Sequence, residues 1–407
     1  MTAASVLEIE KMHGIGDARD RVAESASPGA HRLPAGTVIV SADSHWLEGD
    51  IWVERFPEHL KHRAPRVFFE DGGWQVELGG KRLTPGGSAA ASCAFECVPG
   101  FNDIEARMKD LDAEGVDQEI LFPQKFFNLL FLEHFEEKEW CARAYNQALS
   151  EFCAGQPERL HGVAILNWWD PDATRDALAE IKALGFKTAM IPIQPGKDAD
   201  GELINYHSER MEPFWAAIEE AGLPICFHIG ERPVNPATSP RGAAGIFVMN
   251  QMGGMRNIWS TLTFGGVFDR NPGLRVIFVE SGLHWVPGAL QEADMIFESF
   301  PNHIRPQLSH SPSYYWYKNC WATFMVDPAG LEMLHRIGPE RCMWSSDYPH
   351  NESTLGYTRS AVDAVFKATT VENARKIVGG NAIELFGLEP FRAKKPRKRA
   401  PAAGLAS

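Results

Sequence analysis

Apolar residues in this chain recur in two alternating rhythms. Short β-branched and aromatic runs, bounded by Pro, Gly or charge, predict buried strands. Eight such runs stand at 36–42, 116–123, 160–166, 186–192, 224–228, 274–280, 320–326 and 342–347. Between them the apolar spacing opens to three and four, as on one face of a helix. These stretches predict helices over 102–115 (with Ile104, Met108 and Leu111 in line), 139–153, 171–184, 212–221, 246–265, 285–297, 329–337 and 360–386. Eight strand-then-helix units are the arithmetic of an α/β chain, here a (β/α)8 TIM barrel. A doubly wound open sheet is the rival, but no GxGxxG follows the first strand.

The stretch 48–100 after strand 1 breaks the alternation. It holds strand-like pieces at 66–70 and 74–78 and is rich in Gly and Ser over 86–92. It is read as a lid or oligomer arm inserted in the barrel. The domain reading is therefore a polar leader arm over 1–35, expected to be disordered, a barrel over 36–390, and a basic disordered tail over 391–407.

Composition narrows the class. Of 407 residues, 44% are hydrophobic and 23% charged, which excludes disorder, collagen or coiled coil as the main architecture. A net charge of −13 argues against nucleic acid or an anionic membrane as the main partner. The tail is a local exception, with six cations between Arg392 and Arg399. The seven Cys form no pair of CxxC motifs, so neither a zinc ribbon nor a disulfide framework is indicated. The first twenty residues lack the apolar core of a signal peptide, and no apolar run reaches membrane-spanning length. A cytoplasmic setting is the expectation. Twelve Trp and 24 Phe are enough to wall an apolar pocket as well as fill a core.

In a barrel the chemistry sits at the C-terminal ends of the strands. Strand 1 ends in Asp43-Ser44-His45, with Glu48 beyond. Strand 5 ends in His228, followed by Gly230, Glu231 and Arg232. Strand 6 ends in Glu280, with His284 after it, and strand 8 ends in Asp347 within Ser345–His350. Each residue alone has a plainer reading, as a cap or a hydrogen-bonded core group. Together they form a set: Asp43 and His45, two apart on a strand, point the same way. Two carboxylates with two imidazoles suit Zn²⁺ first, and also Mn²⁺ or Fe²⁺, with a position left open for water or substrate.

Asp43-x-His45-x-x-Glu48, His228-x-Gly230, the run Gly265–Pro272 and Ser346-Asp347-Tyr348-Pro349-His350 resemble, in this order and spacing, the amidohydrolase-related family. The branch is the one that includes aminocarboxymuconate-semialdehyde decarboxylase, and the ending 377–386 is similar to its closing helix. The resemblance covers about 38–388 and implies a distorted (β/α)8 barrel with one divalent metal held by Asp43, His45, His228 and Asp347. Two departures stand out. The first-strand motif is Asp-x-His where many members have two His, and Glu280 stands where many have an acid/base His.

Glu280, His284 and Asp347 are the expected catalytic groups, with Glu280 open between base and metal ligand. Arg232, His350 and Trp46 are expected at the substrate. The resemblance implies non-oxidative decarboxylation, or other C–C cleavage, of a small aromatic or ring-cleavage carboxylic acid without an organic cofactor. The alternative is hydrolysis of an amide, ester, lactone or vinylogous acid by metal-bound water. Both need the same metal site, and the sequence leaves both open. Members of such families are often dimers, so a homo-oligomer is expected.

Overall fold

The computed structural model describes residues 33–70, 73–82, 94–130, 132–230 and 243–393. The leader up to 32, the Gly- and Ser-rich stretch 86–92, Arg232 and the tail from 394 onward lie outside the described residues.

The first strand, β1 (Val40–Trp46), is buried at every position although Ser41, Asp43, Ser44 and His45 are polar. The hydrophobic run at 36–42 predicts it too early, because these polar residues continue it to Trp46. The antiparallel strands β2 (Arg66–Glu70), β3 (Gly73–Leu78) and β4 (Lys81–Arg82) follow as a separate sheet. Then come β5 (Gln118–Pro123), β6 (Leu160–Gly162), β7 (Ala164–Ile165) and β8 (Ala189–Met190). The last four are β9 (Ile225–His228), β10 (Val276–Val279), β11 (Cys320–Phe324) and β12 (Cys342–Trp344).

Two parallel sheets result, β1-β5-β6 and β7-β8-β9-β10-β11-β12. The chain passes from one to the other at Val163. Its N–H donates back to Leu121 O at 2.9 Å, while the next N–H, of Ala164, donates on to Thr188 O at 3.2 Å. At the opposite edges Ser44 makes a parallel bridge to Tyr348. There Asp347 N–H donates to Asp43 O at 2.9 Å and His45 N–H to Tyr348 O at 2.7 Å. The strands carrying Asp43, His45 and Asp347 therefore lie side by side. The chain is α/β with parallel sheets.

Helices connect the strands: α1 (Ile104–Glu114), α2 (Phe135–Ala154), α3 (Thr174–Ala183), α4 (Glu212–Ala221) and α5 (Ala243–Phe264), then the single turn α6 (Val267–Arg270). After β10 stand α7 (Trp285–Ser299) and α8 (Pro312–Asn319), the latter missed by the periodicity because aromatic residues cover both its faces. The expected helix 329–337 is two short pieces, Pro328–Glu332 and Leu334–Ile337, broken at Met333. The expected helix 360–386 is likewise divided. Thr358–Ala368 ends at Thr369, and Thr370 caps the next piece by accepting Asn373 N–H. A π-helical turn, Lys376–Gly380, then packs on the entry to β1. A Cβ on Gly379 would stand 2.3 Å from Val38 O, so only glycine fits there. Among the described residues no helix is long and apolar enough to cross a membrane.

Candidate metal centre and active site

The C-terminal ends of β1 and β9 and the turn after β12 bring Asp43, His45, His228 and Asp347 together, each essentially without solvent exposure. His45 Nε2 lies 3.3 Å from Asp347 Oδ1 and 3.7 Å from Asp43 Oδ1, and His228 Nε2 lies 3.3 Å from Asp43 Oδ1. Asp347 Oδ1 also meets His350 Nδ1 at 3.2 Å. The His350 ring stacks on that of His45 with centroids 4.0 Å apart.

The far side of each imidazole fixes which nitrogen is free to act. His45 Nδ1 donates to Pro123 O at 2.8 Å, and His228 Nδ1 donates to Ile229 O at 2.6 Å. A carbonyl oxygen can only accept, so in the neutral ring Nε2 keeps its lone pair and turns it inward. His350 Nε2 meets Gln124 Oε1 at 2.8 Å and likewise turns Nδ1 toward Asp347. Ring lone pairs thus face carboxylates. Asp43 Oδ2, His45 Nε2 and both Asp347 carboxylate oxygens are buried without a hydrogen bond. Such an arrangement is costly when nothing lies between the groups. A divalent cation removes the cost, since back-side hydrogen bonding of this kind is how metal-binding imidazoles are oriented. Ligand atoms of Asp43, His45 and His228 lie within 4.8 Å of one another, as do those of His45, Asp347 and His350, so the donors gathered here suit a divalent ion.

Charge within the cluster tells the same story. Burial first, then the Asp43 and Glu352 carboxylates, push Asp347 well above the usual carboxylate range. Burial, then Asp347, Glu352 and Asp43, do the same to Glu280. Burial, then His350 and His228, hold His45 well below the usual imidazole range. A bound cation would reverse the two carboxylate shifts and would further favour the neutral, lone-pair form of His45. Glu280 and Asp347 are also the residues other than glycine with positive φ among those described, at 56° and 54°. Left-handed backbone at both strand ends aims these side chains out of the regular strand direction.

Other expected residues fall differently. Glu280 reaches His228, its Oε2 3.8 Å from Nδ1, and gathers with Asp347, His350 and the exposed Glu352. His284 does not join the cluster; its side chain is 56% exposed and its Nδ1 lies 3.1 Å from Asp327 Oδ2. Trp46 is a correction. It follows His45 by one residue, so it points to the opposite face of β1, where its ring packs against Tyr145 and Phe152 of α2. Glu48 offers no ligand atom to the cluster. Its carboxylate accepts the N–H groups of Gln124, Lys125 and Phe126, and burial raises it to about 7. It thereby anchors the loop from which Gln124 reaches His350.

Three neighbours were not anticipated. Phe122 and Phe127 put their rings 4.8 and 5.2 Å from that of His228, and both lie 6.3 Å from His45. Phe122 carried a usable signal, since it sits one residue from the Pro that ends its strand. Phe127 sits in a short 3-10 turn, Phe126–Asn128, that no periodicity marks. Glu352 stands two residues past His350 in the same turn and could have been read with it.

A family model described as "Amidohydrolase" matches residues 50–388, a span that begins after Asp43 and His45. The chain is 26% identical over 332 residues to a gamma-resorcylate decarboxylase of Rhodococcus jostii (strain RHA1), covering 72% of this chain and 93% of that protein. An amidohydrolase of Mycobacterium avium subsp. paratuberculosis K-10 superposes with a TM-score of 0.71 at 18% identity, covering 87% of this chain and 100% of that one. A dihydroxybenzoic acid decarboxylase of Polaromonas sp. JS666, solved with bound manganese and the inhibitor 2-nitroresorcinol, gives 0.61 at 18% identity, covering 86% and 97%.

Proposed function

This chain belongs to the amidohydrolase family, and on that premise we propose that it is a metal-dependent decarboxylase of a small aromatic hydroxy acid. The observation that carries the reading is the inward set of lone pairs on Asp43, His45, His228 and Asp347, buried and without hydrogen bonds at Asp43 Oδ2, His45 Nε2 and Asp347. The decarboxylase relative from Rhodococcus jostii supports the reaction class.

Asp43, His45, His228 and Asp347 would hold the ion. Zn²⁺ and Mn²⁺ both suit two carboxylates with two imidazoles, and the Polaromonas relative was solved with manganese. When bound, the ion supplies positive charge beside the substrate oxygen that becomes more negative as CO₂ departs. The remaining work falls to side chains. Phe122 and Phe127 flank the imidazoles and would pack on the substrate ring while excluding water. Arg232 is our candidate for orienting the substrate carboxylate through a bidentate contact, and His350 for a contact at the rim of the centre. Glu280 is the group placed to hold a proton and pass it to the ring carbon. That carbon gains a C–H bond, its bond to the carboxylate breaks, and CO₂ leaves. His284, held by Asp327, is the second candidate for the proton.

The same reading closes the two parallel sheets into a distorted (β/α)8 barrel. The transfer at Val163 and the bonds between Asp347 and Asp43 and between His45 and Tyr348 support it. It also takes β2–β4 as a lid or dimer arm of a cytoplasmic homodimer.

The test is a panel of dihydroxybenzoates, muconate semialdehydes, amides and esters given to the metal-reconstituted protein in D₂O. We expect CO₂ release from a hydroxybenzoate, with one deuterium at the vacated ring carbon. Hydrolysis of an amide or ester without CO₂ from any acid would overturn the reading.

A further inference from the structure

Behind His45, on its backbone side, lies a fully buried ion pair for which the chemistry has no direct use. Arg107, in the second turn of α1, and Glu119, in β5, are both 0% exposed, with Nε and Oε2 2.7 Å apart. A buried charge pair adds little net stability, because desolvating two ions costs about as much as their attraction returns. Its hydrogen bonds show where it acts. Arg107 Nη1 donates to the backbone oxygen of His45 at 2.8 Å and to that of Gly100 at 3.1 Å. Glu119 Oε1 accepts from Ser44 Oγ at 2.8 Å. The guanidinium lies over the Tyr348 ring, 4.8 Å from its centroid, and Tyr348 Oη donates to Asp110 Oδ2, one turn along α1, at 2.6 Å.

The backbone explains the need. The pairing of β1 with β5 slips between Ser41 and Ser44, so the strand is irregular just where its ligands sit. His45 N–H is held by Tyr348 O, but the N–H that a parallel ladder would return to His45 O, that of His350, turns back to Asp347 O at 2.9 Å. Arg107 supplies the missing donor. Gly100 leaves room for this; a Cβ there would stand 2.2 Å from Tyr348 Oη and 2.9 Å from Arg107 Cα.

We infer that Arg107, acting through Glu119, the His45 backbone oxygen and the Tyr348 ring, is a positioning residue that sets the metal centre by locking the end of β1 to the turn after β12. Arg107 makes its hydrogen bonds to Glu119 and to backbone oxygens, and none to a ligand side chain. The inference rests on the reading of Asp43, His45, His228 and Asp347 as the ligands.

The test is Mn²⁺ titration of the full-length, metal-stripped protein, followed by electron paramagnetic resonance and thermal melting. Arg107→Lys and Glu119→Gln are expected to stay folded, to bind Mn²⁺ about 10- to 100-fold more weakly, as other supports of ligands do, and to change the Mn²⁺ spectrum. Arg159→Lys is the control. Arg159 makes a similarly buried set of bonds, to Asp117 O and Val116 O, at the other end of β5. It should lower the melting temperature while leaving Mn²⁺ affinity as in the parent. If the single variants do not fold, the apolar pair Arg107→Met with Glu119→Leu takes their place, with the same weakening expected. A folded variant at 107 or 119 that binds Mn²⁺ as the parent does would overturn the inference, as would failure of all three to fold. A parent that binds no Mn²⁺ would instead sink the ligand assignment beneath it.

Discussion

Glu280→Gln is the most revealing change in the metal-stripped protein. The carboxylates of Glu280 and Asp347 lie within 4.8 Å of each other in a buried setting. At an effective dielectric of about 20, two charges at that distance repel by about 3 kcal/mol. Without a cation the folded protein avoids this by keeping a proton on one of the two, which is why both are raised. A carboxylate raised in the folded state means that the folded form binds more protons than the unfolded one. Stability therefore falls as pH rises above the ordinary value of 4.5 for Glu. Gln has nearly the same shape and cannot charge. The variant should match the parent at pH 4 and exceed it at pH 8 by up to about 3 kcal/mol, or about 4 °C in melting temperature for a chain of this length. Melting curves of the stripped proteins from pH 4 to 9 measure the difference, and saturating Mn²⁺ should shrink it. A pH-independent gap, or a variant less stable at pH 8, would refute the idea that uncompensated carboxylates crowd this site.

Three further changes follow from particular contacts. His228→Ala should retain its far-ultraviolet circular dichroism yet lose metal affinity by more than about 100-fold, since even supports behind a ligand cost 10- to 100-fold; equilibrium dialysis with metal analysis decides it. Glu48→Gln should flatten part of the pH dependence of stability. Glu48 is raised from 4.5 to about 7, so about 3 kcal/mol of stability is present below pH 4.5 and lost as pH rises through 7, and denaturant titrations of parent and variant should converge on neither side if this is wrong. Gly379→Ala places a Cβ 2.3 Å from Val38 O, so overpacking by about 1–3 kcal/mol is expected; an unchanged melting temperature would show that the π-turn is not tightly docked on β1.

Much of the fold was legible because strand interiors are apolar on both faces. Each of the eight predicted runs overlaps a parallel strand, with Leu160–Gly162 and Ala164–Ile165 sharing one. What failed was local. Polar Asp43 and His45 are part of β1 because their partners lie in strands far away in sequence, and the pattern of one segment does not reveal such partners. Met333 and Thr369 break helices that periodicity alone would continue. At the strand ends, position alone was enough to expect Asp43, His45, His228, Glu280 and Asp347 near one another, and the structure brings them together. Trp46 was misplaced for lack of the alternation that its neighbour His45 already fixed. Phe127 and Glu352 were missed because turns set their directions, and turns leave little periodic trace.

The most direct measurement is a titration of the metal-stripped, full-length protein with Mn²⁺ or Zn²⁺, with bound ion and CO₂ release from a carboxyl-labelled dihydroxybenzoate followed in the same samples. The account predicts saturation at about one ion per chain, as for a single donor set with a position left open for substrate, and CO₂ release that rises in step with occupancy. Folded protein that takes up no ion, or that fills the site and releases no CO₂ from any hydroxybenzoate, would contradict it.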